Sequence, residues 1–431
     1  MFPTVFPAID EDRCAVWEED LEMQGPVPAM PEIDFGADPL EDYYDRLAAL
    51  REAGHRVVPV RYIGETAWLV LRYDDVTQLF ADEKRLPAAD AYERTGMPAM
   101  GRILMAMRGE QHRINRALAG GALLPGAIRR ATETLLVPVA NGLIDQFGDR
   151  RALDLVAAYT ERYPFNIISR LLGVPIEDEA RINGWLGRLI RLQWDRESAL
   201  QARADLDAYL KPLLDERRRN PGEDLISLLA TAEIEGRQLD EEEILSFLRL
   251  LYPAGAETTF LTMSALIHEI LTDRSLYDRL IAYPGQRAAA VEEALRKHAP
   301  ATLLPRYAGS PITIAGVDIP AGSMILVGSG AANHDPDVFP DPERFSLDRG
   351  ANPHATFGRG PHFCLGSHLA REELKVSLTL LLERLPGLRL ADDRPIPSTG
   401  TVVRGIRTLP VAFDALLPAI AYADPSRKSA A

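Results

Sequence analysis

The run Ala355-Thr356-Phe357-Gly358-Arg359-Gly360-Pro361-His362-Phe363-Cys364-Leu365-Gly366 sets a lone thiol where a loop gives way to a leucine-rich helical pattern. Cys364 is one of only two cysteines in 431 residues. Free N–H groups and the positive end of a helix dipole favour a thiolate over a thiol at such a position. Gly358, Gly360 and Gly366 let the backbone fold close around a sulfur, or lie flat against a large planar ligand. A buried free cysteine acting as a small hydrophobe is the alternative. Phe357 and the surrounding glycines fit that alternative poorly, and Cys364 is a candidate metal ligand.

A second run breaks the rules of the element that carries it. Asp240 and Glu243 read as a capping box, and the apolar pattern that follows reaches about Leu271, ~45 Å of helix at 1.5 Å per residue. Its middle reads Pro253-Ala254-Gly255-Ala256-Glu257-Thr258-Thr259. An interior proline costs about 3 kcal/mol and a glycine roughly 1 more. Burying a carboxylate and a hydroxyl in an apolar helix adds a desolvation cost. Such violations gather at functional sites. Small Ala254 and Gly255 would let something flat approach, while Glu257 and Thr258 could relay protons. A tolerated kink, with Thr258 bonded back to a carbonyl, is the structural alternative.

Two charged pairs are ambiguous. His112 and Arg116, four apart, share a helix face and form either a solvated surface or a carboxylate clamp. Glu293 and Arg296, three apart, read first as a surface salt bridge of little worth.

The whole chain limits the setting. A net charge of −15 argues against a nucleic-acid groove. Cys14 and Cys364 offer no disulfide framework, so a reducing cytoplasm is the expected compartment. Met1 to Asp12 holds no basic segment or long apolar core, so neither signal peptide nor anchor is expected. No run approaches the ~20 apolar residues of a membrane span. With 46% hydrophobic residues, the chain can bury a large core with a cavity inside it.

In chain order, residues 1–38 read as an acidic, proline-rich arm. Residues 39–420 read as one large, mainly helical domain, and 421–431 as a disordered tail. Pro39 to Ala53 predicts a helix closed by Gly54. Arg56–Arg61 and Thr66–Arg72 predict a hairpin around Gly64. Residues 85–107 read as a long loop holding Met97, Met100, Met105 and Met107, four of the nine methionines, suited to an adaptable apolar pocket or to plain core packing. Helical patterns fill 125–235. Strands are predicted at Ile312–Ile314 and Met324–Val327. A proline-rich stretch through Pro342-Glu343-Arg344-Phe345 then leads to the cysteine run.

Four features therefore stand in a fixed order: the glycine-bearing helix with its acid and alcohol, Glu-x-x-Arg, Pro-Glu-Arg-Phe, and Phe-Gly-x-Gly-x-x-x-Cys-x-Gly. In these the chain resembles the cytochrome P450 family, in particular its soluble bacterial members, over roughly residues 40–420. The resemblance implies a triangular prism of mainly α-helical structure with a minor β-region around a buried haem b, iron protoporphyrin IX. It implies Cys364 as the axial iron ligand, Phe357 packed near the sulfur, and Gly358, Gly360, Gly366, Ala254 and Gly255 against the cofactor. His112, Arg116, Arg306 and His362 match positions that meet the haem propionates, which removes His112 and Arg116 from the solvated reading. Glu293, Arg296 and Arg344 match a buried structural triad, and Glu257 with Thr258 the acid–alcohol pair that delivers protons. The chain departs from the family pattern in three places. Glu257 stands where many bacterial members have Asp, Met107-Arg108-Gly109-Glu110-Gln111 replaces an often-seen Asp-Pro-Pro, and Pro253 is uncommon.

The activity implied is oxygen insertion into a C–H bond of a small to medium-sized apolar substrate, by hydroxylation or oxidative dealkylation. The resemblance also implies dioxygen and a ferredoxin-type electron donor as partners and a monomeric protein, with no nucleic acid or membrane involved. The substrate pocket is expected from Met97, Met100, Trp194, Ala254, Leu303, Leu304, Val402 and Val403. Arg113, Arg359, Arg371 and Lys375 lie near the cysteine in sequence and form a candidate basic patch for an acidic redox partner. A peroxygenase or haem-thiolate isomerase would not need the Glu257–Thr258 relay. A haem sensor or carrier is the non-enzymatic alternative, and a cysteine hydrolase lacks a paired base.

Overall fold

The computed structural model describes residues 34–36, 40–234 and 236–422. The arm expected over 1–38, with Cys14, and the tail expected from 421 lie almost wholly outside these residues. The first helix, α1 (Tyr43–Glu52), turns over at Gly54, whose φ of +86° suits glycine. The hairpin follows as β1 (Val57–Tyr62) and β2 (Glu65–Val70). Its turn places Ile63 at φ +52° and Gly64 at φ +82°. Positive φ is costly for a β-branched residue. Here the Ile63 and Gly64 N–H groups both donate to the Asp34 carboxylate, each at 2.9 Å.

Helices α2 (Tyr73–Ala81), α3 (Ala88–Thr95), α4 (Gly109–Gly120), α5 (Arg162–Leu172) and α6 (Arg196–Arg219) come next. The long helix α7 (Glu241–Thr272) precedes α8 (Arg287–Lys297), strands β3 (Leu304–Tyr307) and β4 (Met324–Val327), and α9 (Ser367–Arg384). The main sheet has the order β1-β2-β4-β3, with β2 and β4 parallel and the other pairs antiparallel. Pro59 and Pro305 both sit in its edge strands, where a missing N–H is tolerated. No described helix is long and apolar enough to cross a membrane.

The segment over 85–107, predicted as a loop, is instead largely helical. After α3 come one turn at Met97–Met100 and a tight turn at Leu104–Ala106. Ala88, Ala89 and Ala91 are fully buried, so small, helix-favouring side chains let α3 pack closely.

Helix α7 joins two cores. Phe247, Leu248 and Tyr252 pack into a cluster with α5 and α6, and Phe260, Leu266 and Ile270 into another with α8 and α9. A helix apolar all round must run through the interior, as this one does. Its capping box forms as predicted: Glu243 N donates to Asp240 Oδ1 at 2.7 Å, and Asp240 N to Glu243 Oε2 at 3.0 Å. The helix runs unbroken through Pro253.

A carboxylate-centred network ties α8 to the loops before α9. Arg296 Nε and Nη2 donate to the two oxygens of Glu293 at 2.9 and 2.8 Å, with both side chains fully buried. The third member of this group is Arg349 and not Arg344. Arg349 Nε reaches Glu293 Oε1 at 2.7 Å, while Arg344 is exposed and offers only its carbonyl, to Arg349 Nη2. The chain reverses at Asp341, φ +48°, and Arg349 returns along it, bonding the carbonyls of Pro340 and Asp341 as well.

Two tests follow from these networks. Glu293→Ala strands a buried guanidinium and is expected to cost about 3–5 kcal/mol, read from the urea midpoint. Glu269 of α7 bonds Lys297 Nζ at 2.7 Å and His298 Nε2 at 2.8 Å. Burial pushes its carboxyl up, but the His298 and Lys297 contacts outweigh this and hold it at about 2. A depressed carboxyl stabilises the fold fully above its unfolded value of about 4.3 and loses that contribution as pH falls toward 2. The stability gap between the natural protein and Glu269→Gln should therefore shrink between pH ~4.3 and 2, measured as unfolding midpoints; a constant gap would contradict the pairing.

Candidate functional site

The cysteine loop is shaped by two left-handed glycines. Gly358 has φ +65° and Gly360 φ +73°. A Cβ on Gly360 would lie 3.1 Å from Phe80 O and Ala81 Cα, so α2 presses directly on the loop. Cys364 N donates to Phe357 O at 2.8 Å and closes it. Gly366 is the residue before α9 and meets no neighbour with a Cβ.

Cys364 opens onto an internal cavity rather than bulk solvent, though dense protein surrounds it. Burial pushes its thiol up. The N–H groups of Gly366 and Ser367 and the Arg116 and Arg371 guanidiniums act the other way without overcoming it. A bound cation would supply the missing compensation and hold the thiolate.

The cavity has a volume of ≈ 230 Å³, measured as the space open to the centre of a water-sized sphere, and is partly continuous with solvent. Cys364, Phe357 and Gly358 line it, together with Ala254, Thr258 and Thr262 of α7. Met105, Ala301 and Leu304 add apolar wall. Thr258 Oγ1 donates back to Ala254 O at 3.0 Å, and Thr262 Oγ1 to Thr258 O at 3.2 Å. Glu257 is not part of the lining; its Oε1 accepts from Arg407 Nη2 at 3.2 Å. Adjacent helical residues point about 100° apart, so acid and alcohol face different neighbours. Burial raises the Glu257 carboxyl, and Arg407 only partly offsets this.

One edge of the cavity holds a cationic cluster. The His112 and His362 rings lie 4.2 Å apart, centre to centre. Glu83 reaches in from the segment after α2, with Oε2 3.5 Å from His362 Nε2 and Oε1 3.9 Å from Arg306 Nη2. Burial, then His362 and Arg116, push the His112 imidazole down to about 4. Three buried polar atoms here have no hydrogen-bond partner: His112 Nε2, Arg306 Nε and Glu83 Oε1. Orphaned donors beside one carboxylate are what a ligand with its own carboxylates would satisfy. The residues thus fit haem: a thiol that could ligate iron, small Ala254 and Gly358 in the lining, and the unpartnered nitrogens of Arg306 and His112 at one edge. Arg116 itself donates to Phe363 O at 2.5 Å and braces α4 against the cysteine loop.

Several expected residues stand elsewhere. Gly255 faces α5, where a Cβ would sit 3.0 Å from Ile168 Cγ1; it serves helix packing and not the cavity. Trp194 donates from Nε1 to Gly36 O at 2.8 Å and is not in the lining. Met97 and Met100 pack on the helical core, leaving Met105 to reach the cavity. Leu303 is buried under the sheet, and Val402 and Val403 pack against core clusters, so only Leu304 of that group lines the site. The basic patch is ion-paired: Arg113 with Glu110, Arg371 with Glu292, and Lys375 with Glu372. Arg359 donates to Tyr73 Oη at 2.6 Å and to Pro353 O at 3.1 Å. Glu83 was not foreseen, because Asp82-Glu83-Lys84-Arg85 reads as a solvated run.

Known proteins share both sequence and architecture with this chain. The cytochrome P450 family model matches residues 288–410. The mycinamicin IV hydroxylase/epoxidase of Micromonospora griseorubida is 37% identical, over 81% of this chain and 90% of that protein. The vitamin D(3) 25-hydroxylase of Pseudonocardia autotrophica is 34% identical, over 80% and 88%. The crystal structure of CYP109E1 from Bacillus megaterium in complex with testosterone superposes with a TM-score of 0.80 at 29% identity, covering 87% of this chain and 98% of that one. With its cysteine loop and long helix facing one cavity, this chain belongs to the cytochrome P450 family and is a haem-dependent monooxygenase.

Proposed function

We propose that the protein holds haem b on Cys364 and inserts one oxygen atom of dioxygen into a C–H bond of a medium-sized, mainly apolar substrate. A ferredoxin-type partner would supply the electrons to a monomeric protein in the cytoplasm. The observation that carries this reading is the cavity bounded by Cys364 and the Ala254–Thr258 stretch of α7, with the unpartnered nitrogens Arg306 Nε and His112 Nε2 at its edge. Bound haem would supply oxygen activation, with Cys364 Sγ as the protein ligand that would tune its iron.

The chain's own groups have distinct tasks in this reading. The N–H groups of Gly366 and Ser367 stabilise charge on Cys364 Sγ. Arg306, His112 and His362 take the carboxylates of the cofactor. Thr258 Oγ1 is poised at the cavity, and exchanging its bond to Ala254 O for one to the reacting oxygen brings a proton there. Burial makes the Glu257 carboxyl hold its proton more readily than an exposed glutamate, with Arg407 acting the other way. Its partner Arg407 is half exposed, which gives the acid contact with solvent. Met105, Ala301 and Leu304 exclude water and favour an apolar substrate.

Cys364→Ser should abolish the red-shifted absorption band of the ferrous–CO complex; a variant that keeps the band would overturn the ligand assignment. Thr258→Ala should retain that band while product formed per oxygen consumed falls ~10-fold or more, with hydrogen peroxide released instead. Unchanged coupling would remove Thr258 from proton delivery.

A further inference from the structure

In the turns before the helix meets the cavity, α7 carries a charged cluster that the reaction does not use. Arg249 is wholly buried. Its Nη2 donates to Glu242 Oε2 at 2.7 Å, and its Nε lies 3.0 Å from Asp207 Oδ1 of α6. Arg203 of α6 closes the group, with Nη2 donating to Glu242 Oε1 and Nη1 to Pro98 O, each at 2.9 Å. Gly101 lies against the same cluster at φ +79°. A Cβ there would be 2.6 Å from Glu242 Oε1, 2.8 Å from Arg249 Nη1, and in collision with Ser246 Oγ. Any other residue at 101 would meet both a backbone penalty and this wall.

The connection to the cavity is short on both sides. Four residues after Gly101, Met105 lines the cavity; five after Arg249, so does Ala254. Arg203 and Gly101 thus hold the 97–105 segment to the helix whose next turn forms the opposite surface. Burying a guanidinium is costly unless the geometry around it is well satisfied. Here Arg249 Nη1 has no hydrogen-bond partner, so local stability alone accounts poorly for the arrangement.

We infer that Arg249, Glu242, Asp207 and Arg203 form a clamp that positions the Met97–Met105 segment over the cavity and so determines how tightly a bulky substrate is held. These are positioning residues, acting through Met105, and the inference rests on the haem-site reading above. A ligand that reaches only the iron position should be indifferent to the clamp, whereas one filling the space under Met105 should depend on it.

The test titrates haem-loaded protein with cyanide and with clotrimazole, a bulky imidazole, following the Soret band. In Arg203→Gln and Gly101→Ala, clotrimazole affinity is expected to fall roughly tenfold while cyanide affinity stays within about twofold. Glu242→Asp, which keeps the charge, should restore most of the difference relative to Glu242→Gln. Arg203 is partly exposed, so its variant serves if Gly101→Ala does not fold. Equal clotrimazole affinities across the variants, or parallel loss of both ligands, would overturn the clamp. Failure of the unaltered protein to bind haem would overturn the haem reading first, and the clamp with it.

Discussion

The buried Glu293–Arg296 ion pair is the constraint on which the cysteine side of the cavity depends. Two opposite charges without solvent must be matched by hydrogen bonds on every remaining site, and that need gathers distant segments. Arg296 Nη1 binds Asn333 O, and Nη2 binds Pro342 O. Asn333 then holds the start of the cysteine loop, accepting from Ala355 N at 2.7 Å and donating to Thr356 Oγ1 at 2.8 Å. Thr356 Oγ1 donates in turn to Leu295 O at 2.5 Å, beside Arg296. The loop is thereby tied to α8 before Gly358 and Gly360 bend it toward Cys364.

The opposite wall rests on a different principle. Helix α7 is buried along both halves, so its two cores fix its position from either end. That support tolerates Pro253, Gly255 and a hydroxyl-rich stretch that an isolated helix would not carry well. Of these, only side chains on the cavity face serve the site. Ala254 leaves room, Thr258 offers a hydroxyl, and Gly255 instead admits Ile168 from α5. A single helix turn separates packing from chemistry.

Charge in the site follows from what burial leaves unbalanced. His112 is driven toward the neutral form by burial and by neighbouring cations. Arg306 and Glu83 remain incompletely partnered. A ligand bringing carboxylates would supply acceptors for Arg306 Nε and His112 Nε2 at that edge, though not for Glu83 Oε1, while one bringing a cation would restore balance at Cys364. The two imbalances lie at different places around the same cavity, which favours one large ligand with both kinds of group.

Residues whose role comes from local chemistry were legible in the sequence. The glycines of the cysteine loop, the capping box of α7 and the hairpin turn at Gly64 each leave a signature within a few positions, because backbone conformation and helix periodicity are short-range. Roles assigned by long-range packing were not. Arg349 rather than Arg344 reaches Glu293 because the chain reverses at Asp341. Met105 rather than Met97 or Met100 enters the cavity because Gly101 is pressed onto α7, and Glu83 joins the cationic cluster because α2 lies against the cysteine loop. Sequence alone determined the family, the glycine-framed cysteine loop and the long capped helix; the tertiary structure decided which side chains of each segment point inward, since that direction depends on the surfaces against which the segment is packed.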